Sequence, residues 1–337
     1  MRLLSEDDVA ALIDRPMVLA AMQEAYRMHS AGELYPPARN TLRADDGRFG
    51  ALNLAALARD GMLCVKTNTF SFSGINSPRK AESLVTLWHA QTSEAVAMMS
   101  ARLFNQHRTA AGLAVAIGRL AAADATRLVL FGAGFMATET LRYALAARPF
   151  RHVQIFGRTA SRVRTLVQTA QGWPEASGVS ISVGTDVATA LMDADTVIAI
   201  TTTTDPVISG ACLRPGTLVV LGGANRHTAR EADDTLMARA TVYADHLDGC
   251  LDQAGDIVQA LGSGALRREQ LAGEIGTLFD ADPALQVATP MDLIVFKSIG
   301  VATQDLVLAQ RLVERAIARG IGQDFPPPRA AAVRVAQ

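Results

Sequence analysis

The chain has 337 residues, nearly half of them hydrophobic, and a formal net charge of −1. That length supports one large or two ordinary domains. So even a charge balance argues against a nucleic-acid or membrane-surface protein, which would carry a basic excess, and leaves small-molecule chemistry as the default class.

The N-terminus predicts a helix. Ser5 is a candidate N-cap, Asp7 and Asp8 sit in the first turn, and an apolar periodicity runs through Val9, Leu12, Ile13, Val18 and Met22. A stretch bearing Pro and Gly follows, from Gly32 to Gly50. Strand-like runs come next, Met62 to Phe70 and Ser83 to Trp88, separated by SGINSPRKAE, a loop by composition. Ala95 to Ser100 reads as a strand or as the lead into a helix. Arg108 to Leu120, rich in Ala and Leu, reads as a buried helix.

From Arg127 the pattern changes. Strands are expected at Arg127 to Phe131, Val153 to Phe156, Ser180 to Val183, Thr196 to Ile200 and Thr217 to Leu221. Helices are expected after Phe131 through Leu141 and Leu145, at Ala160 to Ala170 and at Val187 to Leu191. Such alternation means a parallel sheet covered on both faces. A last helix is expected from about Ala302 to Ala318, before a Pro-rich tail. The expected fold is therefore α/β, with a Rossmann doubly wound parallel sheet and an α+β domain formed by both chain ends. The expected division is 1–120 with 300–337, and 121–299.

Three cysteines, Cys64, Cys212 and Cys250, stand at no metal-ligand or redox spacing. They are expected to be free thiols in a reducing cytoplasm, with no metal site. Acidic residues within the first ten positions argue against a secretory signal. No apolar run reaches the length of a bilayer span.

Gly132, Gly134 and Ala137 form G-x-G-x-x-A between the strand RLVLF and a helix. Gly132 permits the tight turn, Gly134 lets a pyrophosphate approach the backbone, and Ala137 lets helix and strand pack closely. Phe135 and Met136 complete the loop, whose helix N-terminus offers unpaired N–H groups to phosphates. NAD sites place a carboxylate roughly 20 residues on, for the ribose 2′-OH. Here that segment reads FGRTASR, with no carboxylate. Arg158 can stack on adenine or pair with a 2′-phosphate, Thr159 can donate to it, and Arg162 lies one turn on. NADP(H) is favoured and NAD(H) stays possible. The competing reading makes Arg158 a solvated loop residue.

Several segments together resemble the ornithine cyclodeaminase/mu-crystallin family. They are PPARN (Pro36 to Asn40), CVKTNTF around Lys66, HRTAA (His107 to Ala111), FGAGFMA, TTTTDPVISG, RPGTLVVLGGANRHTARE, QAGD (Gln253 to Asp256) and VFKSIGVATQD (Val295 to Asp305). They occur in the family's order and span nearly the whole chain. The resemblance implies a Rossmann domain with a substrate and dimerisation domain built from both ends, a homodimer, and chemistry at the C–N bond of small amino or imino acids with a nicotinamide cofactor.

It also implies that Arg39, Lys66 and Arg108 are substrate-binding cations. A 2-imino acid carries a carboxylate, which Arg can hold with two parallel bonds. Lys66 lies in an apolar run where a solvent-seeking side chain is out of place, so it is also a candidate proton donor or acceptor. Arg108 and Asn225 complete the candidate catalytic set. Asn225 stands where ornithine cyclodeaminases carry an aspartate. It cannot act as a base, but it can hydrogen-bond an imine nitrogen or the nicotinamide amide.

Thr202 and Thr203 follow a parallel strand and are candidates to face the cofactor, or else to cap the turn before Asp205. Lys297 and Ser298 are candidate contacts on the nicotinamide side. Glu231 and Asp256 read as structural pairing or capping residues. Arg79 and Lys80, a basic pair in the SGINSPRKAE loop, could clamp a second carboxylate, though a solvated loop face explains them as well. His107 and His227 carry little weight as acid–base groups.

The leading expectation is an NAD(P)H-dependent oxidoreductase acting on a small 2-imino or 2-amino acid: an imino-acid or ketimine reductase, or an amino-acid dehydrogenase. The alternatives are an ornithine or lysine cyclodeaminase, which Asn225 argues against, and an NADPH-dependent ligand-binding protein of mu-crystallin type. No nucleic-acid or membrane partner is expected.

Overall fold

Ser5 caps its helix reciprocally: Asp8 N–H donates to Ser5 Oγ at 3.2 Å, and Ser5 N–H donates to Asp8 Oδ2 at 2.9 Å. The apolar periodicity behind it is two helices rather than one. Helix α1 (Glu6–Leu12) ends at Ile13, and α2 (Arg15–Ser30) starts after Asp14. Pro16, in the first turn of α2, has no N–H to give a continuous helix and suits a new helix start.

The computed structural model describes residues 1–44, 49–71, 80–279 and 293–326. In chain order, β1 (Arg2–Leu4), α1 and α2 precede β2 (Ala38–Arg43), β3 (Phe49–Leu57), β4 (Met62–Ser71), β5 (Lys80–His89), β6 (Glu94–Ser100) and α3 (Arg102–Leu120). Then come β7 (Arg127–Phe131), α4 (Phe135–Ala147), β8 (His152–Phe156), α5 (Ala160–Gln171), β9 (Ser180–Val183), α6 (Val187–Asp193), β10 (Thr196–Ala199) and β11 (Leu218–Leu221). They are followed by α7 (Asp234–Arg239), β12 (Ala240–Ala244), α8 (Leu247–Gln253), α9 (Gly255–Ser263), β13 (Leu271–Glu274), β14 (Leu293–Lys297), α10 (Ala302–Arg319) and β15 (Gln323–Asp324). Lys80 to Glu82, expected in a loop, belong to β5. Arg79, the side chain of Lys80 and the Pro-rich tail from residue 327 lie outside the described residues.

The chain divides into two compact units, one of Met1–Ile13, Leu34–Phe104 and Asp305–Gln337, the other of Asp14–Glu33 and Asn105–Gln304. These bounds differ from the expected 1–120, 121–299 and 300–337: α2 and most of α3 fall with the second unit.

Among the described residues, the first unit holds a mixed seven-stranded sheet in the order β15-β1-β6-β5-β4-β3-β2. All its neighbours are antiparallel except β1 and β6. The second unit holds an eight-stranded, wholly parallel sheet in the order β13-β12-β14-β11-β10-β7-β8-β9. Its central strands β7, β10, β11, β12 and β14 are buried on both faces. Leu128, Leu130, Ile155 and Ile198 enter a core with Leu113, Leu141 and Leu166, while Val129, Phe131, Val197 and Ala199 enter another with Leu191, Leu236 and Ile257. Chain order reverses between β7 and β10, the switch point at which doubly wound sheets open a crevice beyond their carboxyl ends.

Candidate functional site

A crevice of about 580 Å³ lies at that switch point, lined by Phe131 to Gly134, Phe156 to Thr159, Arg162, Val187, Ile200 to Thr203 and Val207. Gly132 has a φ of +131°, and a Cβ there would stand 2.7 Å from the Ile200 carbonyl oxygen. Only glycine fits this turn. Gly134 is the N-cap of α4, and a Cβ on it would meet nothing within 4 Å. The space over the helix N-terminus is open, as approach of a pyrophosphate requires. Ala137 is buried in the core, and Gln106 donates to the Phe135 carbonyl, fixing the loop from α3. Sequence reasoning missed Gln106. Phe135 and Met136 open α4 and are not among the residues lining the crevice.

At the tip of β8, Arg158, Thr159 and Arg162 are all exposed, and no carboxylate lines the crevice. Thr159 is the N-cap of α5, and its hydroxyl makes no cap bond. Thr202 is exposed toward the crevice, whereas Thr203 donates to the Asp205 carbonyl at 2.8 Å and accepts from Asp205 N–H. Thr203 therefore makes the turn-capping bonds, while both threonines line the crevice.

Buried carboxylates brace the loops around the crevice. Glu231 accepts from Thr201 N–H and Oγ1 through Oε1, and from Gly223 and Ala224 N–H through Oε2. It thereby ties the segment after β10 to the segment after β11. Asp256 Oδ1 accepts from Glu231 and Ala232 N–H, and its Oδ2 lies 2.7 Å from Lys297 Nζ. Lys297 is fully buried. Burial opposes its charge, but Asp256 and Glu231 outweigh that and hold its pKa above the usual lysine value. Burial pushes the Glu231 carboxyl up, with Lys297 working against it.

The Lys297 ammonium thus faces buried carboxylates that brace these loops. Ser298 is likewise turned inward, donating to Asp245 Oδ2 at 2.7 Å. Asn225 is exposed just after Ala224, outside the lining of the crevice. His227 is exposed, and its carbonyl accepts from Gln259. Burial, outweighing the nearby Glu139, lowers the His107 pKa to about 4, and Arg15 and Arg142 act in the same direction as burial. Its Nδ1 lies 3.0 Å from Tyr143 Oη. It is a neutral packed histidine at pH 7, as its low weight at the sequence level allowed.

Arg108 is half-buried on α3, and its Nη1 donates to Gln304 Oε1 at 3.3 Å. Gln304 is itself oriented, accepting from Val301 N–H and donating to Tyr26 Oη at 3.1 Å. A Cβ on Gly300 would collide with the Arg108 guanidinium, so the glycine, at a φ of +81°, makes room for it.

In the first unit, register places Arg39 opposite Leu54, Leu54 opposite Lys66 and Lys66 opposite Val85. Directly paired residues share a face, so Arg39 and Lys66 stand on one face with Leu54 between them. Lys66 is 1 % exposed, and its Nζ lies 2.7 Å from both carboxylate oxygens of Asp305. The mismatch of a lysine in an apolar strand was the visible signal. Asp305, 239 residues away, was not singled out.

A model of the ornithine cyclodeaminase/mu-crystallin family matches residues 2–320. The chain is 28% identical over 233 residues to the Delta(1)-pyrroline-2-carboxylate reductase of Colwellia psychrerythraea, covering 69% of this chain and 73% of the relative. It is 30% identical over 266 residues to the ketimine reductase mu-crystallin of Mus musculus, covering 78% and 79%. Its fold matches that of the Thermococcus litoralis Delta(1)-pyrroline-2-carboxylate reductase, solved with NADH and L-proline, at a TM-score of 0.86 and 22% identity, covering 96% of this chain and all of the other.

Proposed function

This chain belongs to the ornithine cyclodeaminase/mu-crystallin family, and we propose that it is a nicotinamide-dependent oxidoreductase that reduces the C=N bond of a small 2-imino acid. The observation that carries the reading is that Lys66, buried against Asp305, shares a sheet face with a second cation, Arg39. Burying a charge in a sheet is costly, and an ion pair rarely repays that cost as stability alone. A role in binding an anion and moving a proton explains why the lysine is there.

The crevice at the G-x-G-x-x-A turn fits a dinucleotide: open space above Gly134, a helix N-terminus for the pyrophosphate, and Arg158, Thr159 and Arg162 for the adenosine end. The lack of a carboxylate there supports NADP(H) over NAD(H). Such a cofactor supplies a hydride to the imine carbon. Arg39 and Arg108 are assigned to the substrate carboxylate. Lys66 Nζ is assigned both to that carboxylate and to proton delivery to the imine nitrogen, with Asp305 holding the ammonium in place. Asn225 is assigned a hydrogen bond to the nitrogen or to the nicotinamide amide. The product is an amino acid, and the reverse direction is amino-acid oxidation.

The outer face of the first unit's sheet carries Leu42, Leu84 and Trp88, all exposed. This supports a homodimer through that face, which light scattering of the purified chain would test. Cys64, Cys212 and Cys250 are free, in keeping with a reducing cytoplasm. Among the described residues, no helix is long and apolar enough to cross a membrane.

The test is a panel of 2-oxo acids with ammonia or methylamine, plus cyclic imino acids, scored by oxidation of NADPH and of NADH separately. Oxidation of NADPH with formation of an amino acid is expected. Release of ammonia from ornithine without net nicotinamide consumption would instead make the chain a cyclodeaminase. Tight nucleotide binding with no turnover would make it a ligand-binding protein.

A further inference from the structure

Away from the crevice, α2, the start of α8 and the end of β13 bring three ligand atoms together. His29 Nε2 and His246 Nδ1 are 3.0 Å apart, and Glu274 Oε1 is 3.4 Å from His246 Nδ1 and 3.5 Å from His29 Nε2. All three side chains are partly buried, and these are the only such residues among those described that form a group of this kind. Tetrahedral bonds of about 2.0 Å set neighbouring ligand atoms about 3.3 Å apart, and the three observed separations bracket that value.

The surroundings are built for the same task. His29 Nδ1 lies 3.4 Å from Thr303 Oγ1. A proton on Nδ1 donated to that hydroxyl leaves the Nε2 lone pair facing the other two ligand atoms. Glu274 is fixed from both sides, with Ser30 Oγ donating to Oε2 at 2.9 Å and Leu247 N–H donating to Oε1 at 3.0 Å. Outer bonds of this kind orient metal ligands. A triangle of two imidazole nitrogens and a carboxylate oxygen concentrates lone pairs that one shared proton can serve along only one edge. A divalent ion at the centre serves all three.

We propose that His29, His246 and Glu274 bind one zinc ion per chain, with the fourth position open to water. Two imidazoles and one carboxylate select a borderline transition ion over magnesium or calcium, which prefer all-oxygen shells. Three protein ligands with an open fourth place is also the arrangement that lets an exogenous ligand reach the ion.

The test uses the full chain without a polyhistidine tag, stripped with a chelator and titrated calorimetrically with zinc chloride. One equivalent should bind with a rise in Tm of several degrees, excess magnesium should not compete, and X-ray absorption should show nitrogen and oxygen neighbours at about 2.0 Å. His246→Ala and Glu274→Gln, checked for folding by circular dichroism, should each weaken binding at least tenfold, while His152→Ala on β8 leaves it unchanged. Should the variants fail to fold, the parent protein decides through cobalt(II): an intense visible spectrum of tetrahedral type, lost on adding zinc, supports the site. Substoichiometric zinc, binding untouched in the folded variants, or a weak octahedral cobalt spectrum would overturn it.

Discussion

Two lysines of this chain are buried to nearly the same degree, and each meets an aspartate at 2.7 Å, yet their surroundings differ. Around Lys297, the partner Asp256 also accepts two backbone N–H groups, and Glu231 beyond it accepts three backbone N–H groups and a hydroxyl. The lysine neutralises carboxylates that tie loops together. Around Lys66, both oxygens of Asp305 point at the ammonium, and the strand register sets a second cation, Arg39, on the same sheet face. Burial and pairing alone therefore do not separate a brace from a reactive group. The proposed difference lies in the sheet face that Lys66 shares with Arg39.

Substitution should separate the two pairs. The largest effect is expected for Lys66→Ala: kcat for imine reduction should fall by about 10²–10⁴-fold, the range for losing a positioned acid, while fluorescence titration shows NADPH still bound. Lys297→Met should act on stability, because it leaves Asp256 and Glu231 buried without their counter-charge. A loss of about 3–5 kcal/mol is expected in urea unfolding, with activity of the remaining folded protein retained at saturating NADPH. If Lys297→Met instead removed turnover from a stable protein, the distinction would collapse.

His107 sharpens the contrast, since it is buried without a charge. Its folded pKa of about 4 lies below the ordinary 6.5. The unfolded chain therefore takes up the proton first, and stability present above pH 6.5 is lost as pH falls toward 4. The loss amounts to up to about 3 kcal/mol. His107→Gln should flatten this acid limb in unfolding curves collected across that window.

The smallest effect concerns an exposed cation. Arg158→Ala should raise KM for NADPH about 10–100-fold, as expected for losing charge-assisted bonds to a phosphate, and leave KM for NADH nearly unchanged. Equal effects on both nucleotides would return Arg158 to a solvated loop residue.

What could be read from the residues alone was local. The strand–turn–helix setting of Gly132 to Ala137 spans few residues, so the crevice loop was legible, as was the oddity of a lysine in the run LCVKTNTF. The partners were not, because Asp305 and Asp256 reach their lysines from 239 and 41 residues away. The same holds for His29 and His246, 217 residues apart, which no ligand spacing would reveal. The break between α1 and α2 was present in the sequence as Pro16, but apolar periodicity continued across it and hid it. Strands β12 and β14 are short runs buried on both faces, without the alternation that marks a half-buried strand. Lys297 shows the remaining difficulty: its family segment suggested a cofactor contact, and no feature of that segment announced its full burial against Asp256.

The most direct test of the account is the double variant Lys66→Met/Asp305→Leu, which removes both buried charges together and so spares the fold an unpaired one. Its rate of NADPH oxidation with the imino acid that the parent turns over fastest should be at least about 100-fold below that of the parent, in a folded protein that still binds NADPH. Turnover within a few-fold of the parent would contradict the assignment of Lys66 to the chemistry.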